Sequence, residues 1–111
     1  MTEIFPNAIR NLPHAQHNFP KTDVFLSQSD SHQILFLQSQ EDYVIEEHRN
    51  QAEWCIVLEG KIEITMQGNT QGFEKGECYF VPADISHWAN VYAGFVGIVF
   101  FDDPKRFQPA E

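Results

Sequence analysis

Two stretches of the sequence decide its fold: residues 46–60 read EEHRNQAEWCIVLEG, and residues 76–90 read GECYFVPADISHWAN. Each stretch combines a short apolar run with acidic or histidine side chains. Because side chains alternate along a strand, Glu53 shares a face with the small or apolar residues two and four positions further on. The same holds for His87. Both polar side chains are therefore expected to point into an apolar β-structure.

A carboxylate and an imidazole in such surroundings are costly unless they are paired, hydrogen-bonded or bound to a metal. His48 ends its own strand-like run five residues before Glu53, so a short bend between them can bring His48 to the same place. Two imidazoles and one carboxylate form a facial set that holds a divalent transition metal with open positions. His48, Glu53 and His87 are thus the candidate metal ligands.

The rest of the chain predicts an all-β sandwich or barrel. No stretch of 12 residues shows a clear helical stripe with caps. Gln67-Gly68-Asn69 predicts a tight hairpin, since glycine and asparagine tolerate positive φ. Short apolar runs separated by turn residues recur at 24–26, 34–37, 43–45, 54–58, 62–66, 79–81, 88–92 and 95–101.

One domain is expected from 111 residues, divided into an N-terminal arm (residues 1–21) and a barrel (residues 22–111). Three prolines in the arm predict an extended or irregular segment, with His14 and His17 at the surface. The runs 34–37 and 95–101 are apolar on both faces. One face fills the barrel, and the other needs a cover from the arm or from a second copy, so a homodimer is predicted.

The second stretch resembles the second motif of the cupin superfamily, which has the form G-x5-P-x-G-x2-H-x3-N. Gly76, Pro82 and His87 stand at matching positions, whereas Asp84 replaces the middle glycine and Asn90 comes one residue early. The resemblance implies a double-stranded β-helix, the cupin or jelly-roll barrel.

The first stretch resembles the end of the first cupin motif, V-L-x-G, at residues 57–60, which assigns Glu53 as a metal ligand. The resemblance covers about residues 43 to 101. It is greatest to small single-domain members of the conserved-barrel type, which carry H-x-H-x2-Q-W, a tyrosine-phenylalanine strand and a Y-A-G-[YF] turn. Tyr79-Phe80 and residues 92–95 fit that subgroup.

The H-x-H pair of that subgroup reads His48-Arg49-Asn50 here, so the second imidazole is missing. Asn50 offers only a neutral carbonyl oxygen, a weak ligand for a late transition metal. A rival register uses Glu46 in place of the first histidine, since strand alternation puts Glu46 on the same face as His48. The register with His48, Asn50, Glu53 and His87 is preferred, because Trp54 and its neighbours fit the subgroup better.

The residues and the resemblance together predict a small barrel that holds a divalent transition metal (Mn, Fe, Ni or Zn) and acts on a small organic molecule. The alternative is a metal-free module that binds or senses a small molecule with a degenerate metal site. Whether the protein is an enzyme stays open at this point, because the same fold serves many reactions and also serves storage and sensing.

The charge balance of 16 acidic against 7 basic residues, net −9, disfavours nucleic acid and anionic membrane surfaces as partners. No apolar run approaches the ~18 residues that cross a bilayer, and the first residues do not resemble a signal peptide. The two cysteines, Cys55 and Cys78, are interpreted as buried reduced thiols, although a single disulfide stays open. A cytoplasmic location is expected.

Overall fold

The computed structural model describes residues 4–110. All the strand pairs in it are antiparallel. The elements are α1 (Asn7–Arg10), β1 (Thr22–Gln28), β2 (Gln33–Ser39), β3 (Tyr43–His48), β4 (Glu53–Glu59), β5 (Lys61–Met66), β6 (Asn69–Glu74), β7 (Cys78–Val81), β8 (His87–Val91) and β9 (Val96–Phe101).

Two sheets pack face to face and enclose one main core. The five-stranded sheet has the order β1-β2-β9-β4-β7, and the four-stranded sheet has the order β3-β8-β5-β6. Alternate residues of both sheets fill the space between them, among them Leu35, Val57, Ile62, Val91 and Val99. This architecture confirms the predicted all-β jelly-roll barrel.

The hairpin between β5 and β6 is confirmed at the predicted place. Gln67 and Gly68 have φ values of 50° and 77°, so two residues with positive φ join the strands, as the twist of a hairpin favours. Strand β6 itself was not predicted, because residues 69–74 contain only one large apolar side chain, Phe73. The strand forms through its pairing with β5.

The outer face of the five-stranded sheet is covered in part by residues 5–12. Phe5 is buried there, with its ring centroid 6.2 Å from that of Phe25 and 5.6 Å from that of Phe36. Ile9 and Leu12 pack against the same cluster. The short helix α1 was not expected in this segment; it begins directly after Pro6, whose carbonyl oxygen accepts from the N–H groups of Ile9 and Arg10 at 3.0 Å. Residues 1–3 and 111, the ends of the predicted arm and barrel, lie outside the described residues.

A C-terminal strap, residues 103–110, crosses one end of the barrel. The buried Gln33 side chain holds it in place: Nε2 donates to the Phe107 carbonyl at 2.8 Å, and Oε1 accepts from the Phe107 N–H at 2.9 Å. The strap also pairs with residues 14–16 through backbone hydrogen bonds. Gln33 therefore holds the main chain of the strap at Phe107.

The two cysteines occupy different environments, and both are free. Cys55 is fully buried on the inner face of β4, where burial raises the pKa of the thiol to about 12. The prediction that Cys78 is buried was wrong. Cys78 begins β7, the edge strand, and is exposed.

Candidate metal centre

His48, Glu53 and His87 converge at one end of the barrel. Each offers one ligand atom, and the three atoms lie within 4.8 Å of one another. Glu53 comes from the first residue of β4, in the five-stranded sheet, whereas the histidines end β3 and begin β8, in the four-stranded sheet. Glu53 is 7% exposed and His87 3% exposed. The three residues thus join the two sheets across the interior.

A β-bulge in β3 brings His48 to this position. Regular alternation points Tyr43 and Ile45 inward, and the register then shifts between Ile45 and His48, so that His48 lies directly opposite His87. Glu46 and Glu47 are both exposed. The rival register with Glu46 as a ligand is therefore wrong, because the bulge breaks the alternation on which that register depended.

Both histidine rings are held by backbone carbonyls. His48 Nδ1 lies 2.7 Å from the carbonyl oxygen of Glu46, and His87 Nδ1 lies 2.9 Å from that of Ile85. A carbonyl oxygen can only accept, so Nδ1 carries the proton in each ring. This leaves Nε2 of each ring as the nitrogen available to a metal, which is the arrangement that metal-binding histidines adopt.

The Glu53 carboxylate has two partners in the interior. Its Oε1 lies 3.0 Å from His87 Nε2, and its Oε2 accepts a long hydrogen bond of 3.3 Å from the Tyr79 hydroxyl. With Glu53 ionised, His87 makes both of its hydrogen bonds only when the ring carries two protons. Burial alone would lower the pKa of His87, but the bonds to Glu53 and to the Ile85 carbonyl outweigh it, so the pKa is raised.

The pKa of His48 moves in the opposite direction. Burial lowers it, and the charges of His87 and Arg106 lower it further, against the raising effect of the bond to Glu46. His48 is therefore neutral at neutral pH, which is the form that binds a metal.

A largely apolar cavity of about 50 Å³ adjoins the three side chains. Its polar lining comes from the triad itself, from Tyr43 and Tyr79, and from Arg106 of the strap. The apolar lining is Phe19, Leu35, Leu37, Ile45, Ile62, Ile64, Ala89, Val91, Phe95, Val99, Phe101 and Phe107. Trp54 and Trp88 face away from this cavity, as the alternation predicts.

Asn50, the fourth predicted ligand, is placed in the turn after β3. Its main-chain carbonyl oxygen accepts from the Asp84 N–H at 2.9 Å, and its side-chain Nδ2 is buried without a hydrogen-bond partner among residues 4–110. Asn50 does not belong to the set that lines the cavity. Its coordination of a metal stays a prediction.

The sequence analysis missed Arg106 and Tyr79 as members of this site. The tyrosine hydroxyl could have been found from alternation, because Tyr79 pairs with Cys55 on the inner face. Arg106 follows the last strand in a segment without periodicity, so only the folded strap brings it to the cavity.

The donor set fits a divalent transition metal. Two imidazole nitrogens and one carboxylate oxygen at metal bonds of about 2.1 Å stand about 3.0–3.4 Å apart. Glu53 Oε1 and His87 Nε2 have a separation of 3.0 Å, and all three ligand atoms lie within 4.8 Å of one another. The backbone carbonyls behind both rings supply the outer contacts that such a site needs.

Comparison with known proteins identifies one family and one fold. The family described as Cupin domain matches residues 35–93 of this chain. No curated protein matches the sequence. Within residues 4–110, no helix has the length and apolar character needed to cross a membrane.

Solved structures share this fold at low sequence identity. A cupin superfamily protein from Desulfitobacterium hafniense has a TM-score of 0.69 at 17% identity, over 79% of this chain and 83% of the other. KdgF from Halomonas sp. has a TM-score of 0.70 at 17% identity, over 83% and 88%. A single-substitution variant of Bacillus subtilis oxalate decarboxylase has a TM-score of 0.71 at 15% identity, over 86% of this chain and 28% of that one.

Proposed function

We propose, from the premise that this chain belongs to the Cupin domain family, that it holds one divalent transition metal with His48, Glu53 and His87 and acts on a small organic molecule. The observation that carries the proposal is the pair of Nδ1 bonds to the Glu46 and Ile85 carbonyls. These bonds occupy Nδ1 of both rings and leave Nε2 as the nitrogen available to a metal, and His87 Nε2 already lies 3.0 Å from Glu53 Oε1.

The residues around the centre have separable roles in this function. A bound metal supplies Lewis acidity and open positions for a ligand oxygen. Glu53 neutralises part of its charge, and Tyr79 holds the second carboxylate oxygen. The apolar lining excludes bulk water and contacts the hydrocarbon part of the ligand. Manganese, iron, nickel and zinc are the candidate metals for this nitrogen and oxygen set.

Elemental analysis of the purified protein tests the metal. After incubation with each of the four metals and removal of the excess, we expect about one metal per chain in the wild type and none in His87→Ala. His14→Ala, which removes an exposed histidine of the arm, is the matched control and binds as much metal as the wild type. Absence of stoichiometric metal from the wild type, or equal loading of His87→Ala, contradicts the proposal.

A metal-free binding module is the second candidate, and one observation favours it. The His87–Glu53 ion pair satisfies both buried groups without any metal. If this function is correct, small metabolites raise the melting midpoint of metal-free protein, because binding to the native state stabilises it. A wild type that takes up stoichiometric metal and responds to metabolites only when loaded excludes this candidate.

The proposed assembly is a homodimer through the outer face of the five-stranded sheet. A row of apolar side chains crosses this face in register, from Ile34 through Phe100 and Trp54 to Phe80. Trp54 and Phe80 are 41% and 54% exposed. A second copy suits the row, because a twofold axis pairs these aromatic side chains with their own equivalents and places no charge against them.

Sedimentation tests the dimer. We expect the wild type to sediment as a dimer and Phe80→Lys as a monomer at the same concentration. Val44→Lys, which places the same charge at an exposed apolar residue of the other sheet, stays dimeric. A monomeric wild type contradicts this assembly.

We place the protein in the cytoplasm, a location supported by its two free thiols.

A further inference from the structure

We propose that Arg106 makes the centre a carboxylate site, so that the ligand is a compact organic acid whose carboxylate binds the guanidinium beside the metal. This inference rests on the proposed function for the metal, and it adds the chemical class of the ligand.

The first observation is a buried hydrogen-bond donor that has no acceptor. Arg106 lines the same cavity as His48, Glu53 and His87, and its Nε is buried without a hydrogen-bond partner among residues 4–110. A buried donor left unpaired is unfavourable, and more so when it belongs to a charged group. An acceptor supplied by a ligand removes that cost. The planar guanidinium matches a carboxylate, which accepts two parallel N–H bonds from it.

The second observation is that the guanidinium is held in place. Its central carbon lies 4.6 Å from the ring centroid of Phe107 and 5.8 Å from that of Phe101. The Gln33 side chain binds both backbone groups of Phe107, and Gln33 is itself fully buried. Arg106 is therefore oriented before any ligand arrives, which lowers the entropic cost of binding.

The charges select an anion. With both histidines neutral, a divalent metal, Glu53 and Arg106 sum to a local charge of +2, and one carboxylate reduces it to +1. The negative charges of Glu53 and Asp103 already act on the guanidinium, but a neutral or cationic ligand adds no anionic acceptor for its unpaired Nε. The chain as a whole has a net charge of −9, so this cation does not belong to a general basic surface.

The size of the cavity limits the acid. A volume of about 50 Å³ has room for a few water-sized groups, at roughly 10–15 Å³ for each. The side chains around that space, such as Leu35, Val99 and Phe19, are apolar. A short aliphatic acid fits both limits, with its carboxylate toward Arg106 and its carbon atoms toward these side chains.

Acetate and acetamide test the proposal, because they share a shape and differ in charge. Their affinities are measured from shifts of the melting midpoint, with Mn²⁺-loaded and with metal-free protein, and the Mn²⁺ paramagnetic spectrum provides a second readout. The variants are Arg106→Gln, Arg106→Lys and the control Lys105→Gln, which removes an exposed positive charge one position away.

We expect acetate affinity to fall at least about tenfold in Arg106→Gln, to fall less in Arg106→Lys, and to stay unchanged in Lys105→Gln. Acetamide affinity is the same in all four proteins. Equal acetate affinity in wild type and Arg106→Gln overturns the proposal, and so does acetamide binding as tight as acetate binding. No acetate binding by the wild type at about 100 mM overturns it as well.

The two proposals fail in different ways. Absence of metal from the wild type contradicts the proposed function, and the metal-free titration then still decides whether Arg106 binds acetate. Normal metal loading with no effect of Arg106→Gln on acetate contradicts the Arg106 proposal alone. If Arg106→Gln does not melt cooperatively, Arg106→Lys decides, because it keeps the charge and loses the planar pair of donors: a fall in its acetate affinity supports the proposal, and no change overturns it.

Discussion

On the two faces of the five-stranded sheet, residues that are adjacent in the chain lie in opposite environments, buried on one face and exposed on the other. On the inner face, Glu53 and Tyr79 are buried and bonded to each other. On the outer face, Trp54 and Phe80 follow them by one position in the chain, pair across the same two strands, and are exposed. The Glu53 carboxylate is enclosed whereas the Trp54 and Phe80 rings are exposed, the reverse of what hydrophobicity alone would give.

The difference shows what decides burial in a sheet. Alternation fixes which residues share a face, and the elements packed on that face then fix its environment. The inner face is closed by the four-stranded sheet, so a carboxylate there must be paired. On the outer face, residues 5–12 cover Phe25, Phe36 and Ile98 but leave Trp54 and Phe80 exposed.

The largest expected effect comes from removing the negative charge of Glu53 on the inner face. Glu53→Gln removes the proposed anionic ligand and leaves His87 without its carboxylate, so we expect metal affinity to fall about a thousandfold, beyond the 10–100-fold that outer contacts contribute. Competition with a chelator of known affinity measures it. Trp54→Phe, the neighbouring residue on the outer face, leaves metal affinity unchanged. Similar losses in both variants would mean that the faces are not independent.

The cover of the outer face is tested by Phe5→Ala. Phe5 is 5% exposed and packs edge-on against two rings, so its removal lowers the free energy of unfolding by about 3 kcal/mol in urea denaturation. Ile4→Ala, at the adjacent position but 41% exposed, changes it by less than about 0.5 kcal/mol. Equal effects of the two substitutions would show that residues 5–12 do not cover this face in solution.

The packing of the inner face is tested by Gly97→Ala. A Cβ at residue 97 would stand 2.6 Å from Phe95 Cζ, so we expect a loss of about 2 kcal/mol. The control is Gly72→Ala on β6, where the added carbon meets the flexible side chains of Lys61 at 3.2 Å and of Glu63 at 3.8 Å. Thermal and urea unfolding of both variants measure the difference. A Gly97→Ala protein as stable as the wild type would mean that the core around Phe95 accommodates the added methyl group without strain.

The smallest expected effect is the pH dependence of metal affinity. The pKa of His87 is raised, because its bonds to Glu53 and to Ile85 outweigh burial. A proton on Nε2 competes with the metal, so affinity falls by about tenfold for each pH unit below that pKa and is flat above it. Zinc titrations between about pH 8 and pH 6 measure this slope. Affinity that rises on acidification would contradict the assignment of Nε2 as the ligand atom.

Alternation and turn chemistry accounted for most of the fold in advance. The runs at 54–58 and 62–66 became β4 and β5, and the turn at 67–68 formed where glycine favours positive φ. Strand β6 could not be predicted in this way, because its residues are polar and its structure comes from pairing with β5. The local sequence pattern of a strand does not show which neighbouring strand it pairs with.

The candidate site, like the fold, could be predicted from the sequence only in part. The three side chains of the triad could be predicted, since Glu53 and His87 directly precede apolar runs and His48 ends a strand-like segment shortly before Glu53. The bulge that turns Glu46 outward could not, because it depends on how β3 pairs with β8. The place of Arg106 in the site could not be predicted from the sequence either, because Arg106 reaches the cavity only when Gln33, far away in the chain, binds the strap.

The hydrogen bonds from the histidines to residues 46 and 85 use main-chain oxygens. Every amino acid has a main-chain carbonyl oxygen, so the orientation of the two rings does not depend on which side chains stand at those positions. Evolution can exchange residues 46 and 85 without redirecting either imidazole, and a library randomised at these two codons should retain the centre in most of its members.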